Sequence, residues 1–375
     1  MNLVQINLQQ HFGGGEVFTA FLCRAMSALG VTTTLFVHPR AGYWKRLGLP
    51  TDTKVCLAEP QKLSAANLAI GPHWLLAHGP LPTPLLKPDP QLLRTAIAHM
   101  PVQGRSPRAY DGHDLVFAVS GWVRGGLIAN DIPTWQNPLY GVADLSQRGA
   151  GQTLYRTSRY DWDQRKGRDR LFGLVEPLVE SLRTHPVYER QHGLILGIVS
   201  RLTPIKQFPM MFRHLAPVLA RHPEVRLEIF GAGGYASVRD LDAALRPCAR
   251  QVRFWGQQRD VATAYRGIDY LLTGLPEKEA LGLNVIEAQA CGTPVIAVNA
   301  PPFTETVVEG QTGFFYRDPR EDNGVDFERV LNHVLTQLRP DPRLAMEHLA
   351  KFSFDAFVER LRPIVAEVQS RLNAA

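Results

Sequence analysis

Short apolar runs alternating with amphipathic stretches organise this chain. At its start LVQINLQ, a glycine turn HFGGG, the amphipathic EVFTAFLCRAMSALG and the apolar VTTTLFV read as strand, turn, helix and strand, which is a βαβ unit. Further strands are expected at WLLAHG, TAIAHM and DLVFAVS, and the proline-rich PLPTPLLKPDP reads as a loop. From LILGIVS onward the alternation is clean. Helix PMMFRHLAPVLARH, strand VRLEIFG, helix SVRDLDAAL, strand VRFWG, helix DVATAYRG, strand YLLTG, helix LNVIEAQAC and strand PVIAVN follow in turn. Strands this uniformly apolar belong to a parallel sheet covered on both faces, with its ligand at the carboxyl ends of the strands. Residues 163–192 are polar and charged around one helical stretch, LFGLVEPLVESLR, and read as the approach to a domain boundary. The final helical pattern, FDAFVERLRPIVAEVQSRL, contains Pro363, where a kink is expected. The pattern therefore predicts an α/β chain of two doubly wound Rossmann-like domains, 1–185 and 186–350, with a C-terminal helix over 351–375.

Length agrees with this, since 375 residues exceed what one core usually serves. Apolar residues at 45% and charged residues at 20% are those of a soluble globular protein. No apolar run reaches the length of a membrane span, and MNLVQINLQQ lacks the pattern of a signal peptide, so a cytoplasmic protein is expected. The four cysteines lack metal-ligand spacing and read as buried thiols. The net charge of +6 lies in the first half, where residues 1–190 hold 20 Lys plus Arg against 14 Asp plus Glu. Part of it falls in 148–170, with seven basic and three acidic residues, a stretch suited to an anionic membrane face or a phosphorylated acceptor, and equally to a solvated loop. No nucleic-acid partner is expected.

The densest chemical signal is residues 275–300, LPEKEALGLNVIEAQACGTPVIAVNA. Pro276 and Gly282 precede a helical pattern over 284–290, so free backbone N–H groups are expected at the helix start, where phosphate is attracted. Two carboxylates, Glu279 and Glu287, flank that start with seven residues between them. Phosphate repels carboxylates, so their cheapest partners are hydroxyl groups. Hydroxyls beside a phosphate describe a nucleotide sugar.

The line E-A-L-G-L-N-V-I-E-A-Q-A-C-G-T-P-V-I resembles the E-x7-E motif of the retaining GT-B glycosyltransferases of family four, the glycosyl transferase group 1. Ser200-Arg201-Leu202-Thr203-Pro204-Ile205-Lys206 resembles that family's G-R-L-x-x-x-K-G, with Gln207 where the last glycine usually stands. Gly13-Gly14-Gly15-Glu16 resembles its opening G-G-x-E, and I-P-T-W-Q-N-P-L-Y-G-V-A-D-L its I-P-x-x-x-V-I-Y-N-G-V-D-L with the asparagine replaced by Tyr140. The resemblance implies two domains facing across a cleft, with the last helix crossing back to the first. It implies a donor site of Gly14, Gly15, Arg201, Lys206, Gly231, Glu279, Gly282, Leu283, Asn284 and Glu287. Within it, Glu279 would meet the transferred sugar, Glu287 the ribose, and Arg201 and Lys206 the diphosphate, whose developing charge they would stabilise. His99, ending a strand of the first domain, would reach the donor sugar. Glu279, His99, Arg201 and Lys206 form the implied catalytic set.

Two motifs compete. Gly231-Ala232-Gly233-Gly234-Tyr235-Ala236 fits a G-x-G-x-x-A dinucleotide fingerprint, yet about twenty residues on, where an acid should bind the ribose, the chain reads QVRFWG. This argues against an oxidoreductase, and the resemblance puts the run beside the donor. Asp161-Trp162-Asp163 has the D-x-D form of a metal site but lies in a basic, polar stretch. With two cations and a helix terminus on hand, neither metal nor cofactor is required. The expected activity is metal-independent transfer of a sugar, with retention, from a nucleoside diphosphate sugar to a glycan or glycolipid hydroxyl in cell-envelope assembly. An epimerase or phosphorylase of the same fold, or a non-catalytic nucleotide-sugar binder, is the alternative.

Overall fold

The computed structural model describes residues 2–63, 73–87, 89–102, 106–143, 151–161 and 186–374. Contacts divide the chain into two units, Met1–Ala143 with Ala350–Ala375, and Asp144–Leu349. In the first unit β1 (Asn2–Asn7), β2 (Thr32–Val37), β3 (Lys54–Leu57), β4 (His73–Ala77), β5 (Leu92–Ala98) and β6 (Leu115–Ala118) form one parallel sheet in the order β3-β2-β1-β4-β5-β6. The expected βαβ unit is there, with α1 (Gly14–Ala28) between β1 and β2. That helix ends because Gly30 adopts φ of 71°, letting Val31 N–H reach back 2.9 Å to the Met26 carbonyl. A short α2 (Gly121–Ile128) follows β6, its N-cap Ser120 accepting from Val123 N–H. The C-terminal helix (Phe354–Ala374) runs through Pro363 and packs on α1, with Phe18 and Phe357 edge to face at 5.3 Å.

The second unit repeats the design. Its strands β7 (Leu194–Val199), β8 (Val225–Phe230), β9 (Val252–Phe254), β10 (Tyr270–Leu272), β11 (Val295–Val298) and β12 (Gly313–Tyr316) pair in parallel in the order β12-β11-β10-β7-β8-β9. Along β7, Leu196 and Ile198 enter one apolar layer with Met211, Phe212 and Phe327, while Ile195 and Val199 enter the other with Tyr265, Val285 and Phe303. Both faces are covered, which is why the strand reads as an unbroken apolar run. Residues 151–161 lie ahead of the boundary expected at 185, yet they pack with this unit: Thr157 N–H donates to the Trp255 carbonyl at 2.9 Å and Asp161 N–H to that of Gly233 at 2.8 Å. Among the described residues no helix is long and apolar enough to cross a membrane.

Candidate active site

In a doubly wound sheet the ligand crevice lies where the strand order reverses. In the second sheet that point falls between β7 and β10, so the loops leaving these strands, 200–207 and 273–282, line it. The first loop is closely packed by glycines. A Cβ on Gly231 would stand 1.9 Å from the Ser200 carbonyl oxygen, one on Gly233 2.1 Å from that of Leu202, and one on Gly274 2.2 Å from that of Lys206. Glycine at these positions lets two chain segments, one at 231–233 and one at 274, close on the 200–206 loop. Gly231, which the resemblance put beside the donor, thus has a packing reason of its own.

That loop ends on Gln207, which holds φ of 54° as the N-cap of α3 (Phe208–Ala220), and α4 (Tyr235–Ala244) follows β8. Lys206 turns its ammonium to the Glu279 carboxylate and forms an ion pair in which both side chains are largely shielded. Glu279 is held from a second side, since the backbone N–H groups of Ala280 and Gly282 each donate to its Oε1 at 3.3 Å. Part of the donor capacity ahead of the helix is therefore spent on Glu279. Next door, Arg320 bridges Glu277 and Asp318, tying this loop to the segment after β12; these bonds hold the Asp318 carboxyl below its usual range.

Two helices position the second glutamate. Helix α6 spans Leu283–Ala290, within a residue of the expected start, and Gly282 caps it in the left-handed region at φ of 80°. Among the described residues the N–H groups of Leu283 and Asn284 have no partner, so the helix start keeps the free donors expected there. Asn284 donates its amide to the Val199 carbonyl at 3.4 Å, joining α6 to the end of β7. Glu287 accepts at 2.9 Å from the hydroxyl of Tyr265, a residue of α5 (Val261–Arg266) with 1% of its surface exposed. Burial, first, and the carboxylate beside it raise that phenol well above its ordinary pKa, so it stays a donor. Arg201 is exposed; its carbonyl accepts from Thr203 N–H at 3.0 Å, and its guanidinium makes no bond to the described residues. The structure thus gathers Lys206, Glu279, Gly282, Leu283, Asn284 and Glu287 at one sheet edge.

Residues 186–336 match the family model for glycosyl transferases, group 1. The second unit belongs to that family. A D-inositol 3-phosphate glycosyltransferase of Stackebrandtia nassauensis is 31% identical over 178 residues, which are 43% of this chain and 39% of the relative. A protein of that description from Rhodococcus erythropolis is 26% identical over 92% of this chain and 84% of its own length. The first of these matches spans well under half the length of the relative. Among solved structures, HepE of Anabaena in complex with UDP and glucose superposes with TM-score 0.65 at 17% identity, covering 98% of this chain and 100% of its own. Sucrose-phosphate synthase of Thermosynechococcus elongatus gives TM-score 0.70 at 14% identity over 98% and 99% of the two chains. Such likenesses establish the GT-B fold, two Rossmann-like domains in one chain.

The remaining residues expected at the site lie in the first unit. Gly14 and Gly15 open α1, and a Cβ on Gly15 would meet nothing within 4 Å, so the helix start stands open. His99 follows β5 and lies with His78, the residue after β4, on a cavity of about 630 Å³ at the carboxyl edge of the sheet. The two rings share a hydrogen bond of 3.0 Å between His78 Nδ1 and His99 Nε2. Burial depresses both, His99 to about 4, so the pair is uncharged at neutral pH. Of the D-x-D motif only Asp161 falls among the described residues; Trp162 and Asp163, like most of the basic stretch 148–170, lie outside them. Sequence reasoning missed Tyr265 and Arg320. Tyr265 sits on the apolar face of a short helix, where its side chain reads as core, and no local signal pairs it with a glutamate 22 positions on.

Proposed function

We propose that this chain transfers a glycosyl group from a nucleoside diphosphate sugar to an acceptor hydroxyl, with retention and without a metal. The observation that carries the reading is the meeting of Lys206 and Glu279 in front of a helix start with two unpartnered N–H groups. A diphosphate seated there would accept from Leu283 and Asn284 N–H and draw Lys206 and the exposed Arg201. Each phosphate contact would compete with the Glu279 carboxylate for the ammonium. Release from Lys206 would leave Glu279 an acceptor for sugar hydroxyls, while Glu287, steadied by Tyr265, takes those of the ribose.

Chemistry then follows from charge. As the anomeric C–O bond breaks, its electron pair goes to the departing phosphate oxygen, and the cations already in place stabilise it. The acceptor oxygen bonds the anomeric carbon from the face the phosphate leaves, and its proton passes to a phosphate oxygen. That path retains configuration and uses no carboxylate nucleophile. The UDP complex of a neighbour with this fold favours uridine as the donor base. The excess charge of the first half suits an acceptor in cell-envelope polysaccharide or glycolipid assembly, made at the inner membrane face.

Thermal-shift titrations with UDP, GDP and ADP, followed by incubation with the corresponding nucleotide sugars in chelator, test this. One diphosphate should stabilise the protein and its sugar should be slowly hydrolysed without metal. Stabilisation without turnover would make the chain a binder, and turnover restored only by magnesium or manganese would return Asp161 and Asp163 to the site.

A further inference from the structure

At the switch point of the first sheet, where β1 and β4 part, a line of hydrogen bonds runs from the core to the cavity. Gln5, fully buried on β1, donates its amide Nε2 to the Sγ of Cys23 at 3.6 Å and turns its Oε1 to His78 Nε2 at 3.1 Å. His78 Nδ1 meets His99 Nε2 at 3.0 Å. The imidazole centres are 5.2 Å apart with planes inclined by 16°, which ring size allows only if the bonded nitrogens lie nearly on the line between the centres. The two rings are therefore edge to edge, in the geometry of a straight N–H···N bond.

A neutral imidazole has one donor and one acceptor nitrogen, so the line has a direction. The Gln5 carbonyl oxygen can only accept, which puts the His78 proton on Nε2 and leaves Nδ1 bare. Only His99 Nε2–H can then fill the 3.0 Å contact, and His99 Nδ1 is left without a proton. Thr19 does not upset this order. Its hydroxyl donates to the Gly15 carbonyl at 2.8 Å and accepts from Asn7 at 2.9 Å, and at 3.1 and 3.3 Å from the two His78 nitrogens it lines up with neither.

We propose that Gln5 is a positioning residue which, through His78, fixes His99 as a hydrogen-bond acceptor toward the first unit's cavity, so that this cavity takes an uncharged, hydroxyl-bearing ligand. No described residue bonds His99 Nδ1, and His99 lines the cavity. Around it stand Leu8, Pro80, Met100 and Tyr110, and among the described residues the lining includes no Lys or Arg. A bare nitrogen repels phosphate and carboxylate oxygens, whereas a sugar or cyclitol hydroxyl can donate to it.

The test is the two-bond proton–nitrogen spectrum of the full chain carrying nitrogen-15 histidine, at pH 7.5. His78 and His99 should both show the Nε2–H tautomer. Gln5→Leu should spread His99 over both tautomers, and Gln5→Glu, which restores an accepting oxygen, should return it to one. Methyl α-glucopyranoside and myo-inositol should move the His99 Nδ1 resonance, while glucose 6-phosphate and inositol 1-phosphate should leave it in place. A wild-type His99 protonated at Nδ1 overturns the proposal even if the leucine variant fails to fold. So does an unchanged tautomer in a folded Gln5→Leu, a shift confined to the phosphorylated probes, or no shift with any of them. UDP titration in the same samples reads the second unit separately.

Discussion

At the scale of single residues, Lys206 and Glu279 hold one another, and removing either leaves a partly shielded charge without its partner. Lys206→Ala should cut kcat/KM by about 10³, as removal of one transition-state donor does, and lower the melting temperature without preventing folding, since Glu279 keeps the Ala280 and Gly282 N–H donors. A variant that folds and turns over normally would take Lys206 out of the mechanism. Tyr265 tests the other glutamate. Tyr265→Phe deletes one hydroxyl bonded to a carboxylate, worth about 1.5–3 kcal/mol, and the part of it that orients Glu287 should weaken nucleotide diphosphate binding by about tenfold in a titration. Both glutamates were legible from the chain because small residues and a helix period surround them. Tyr265 was not, because its contact joins two helices.

At the scale of elements, the helix start at α6 could be read to within one residue, since Gly282 and the apolar period mark it on either side. The strand order could not, because parallel pairing leaves no mark on a single strand's sequence. Nor could the work of Gly231, whose resemblance to a nucleotide-binding run hid a contact with a neighbouring loop. Gly231→Ala should displace the 200–206 loop, since its Cβ would overlap a backbone oxygen that no rotamer can move. We expect a lower melting temperature together with weaker diphosphate binding; an unchanged melt and affinity would show that the loop yields freely. Gln207 gives the opposite sign. Its left-handed backbone costs a non-glycine residue roughly 1–2 kcal/mol, so Gln207→Gly should recover part of this as a higher urea midpoint.

For the whole molecule, the two units share one strand order yet shift different titratable groups from their ordinary values. In the first, burial holds His78, His99 and His113 below their ordinary pKa of 6.5, His99 at about 4. An unfolded chain binds protons at these histidines once the pH drops below 6.5, while the folded unit does not. Their contribution to stability is therefore complete above pH 6.5 and is lost progressively as the pH falls toward 4. In the second, the groups held low are the carboxylates of Asp318, Asp326 and Glu328, bonded to Arg320, Arg329 and Arg221, whose ordinary values of 3.8 and 4.5 place their loss in more acid solution. Lowering the pH from 7 to 5 should thus weaken the first unit ahead of the second. Hydrogen exchange of β4 and β5 amides, set against those of β7 and β8 at both pH values and corrected for intrinsic rates, reads this difference directly. Equal losses in the two sheets would mean that the histidines of the first unit take up protons without unfolding it.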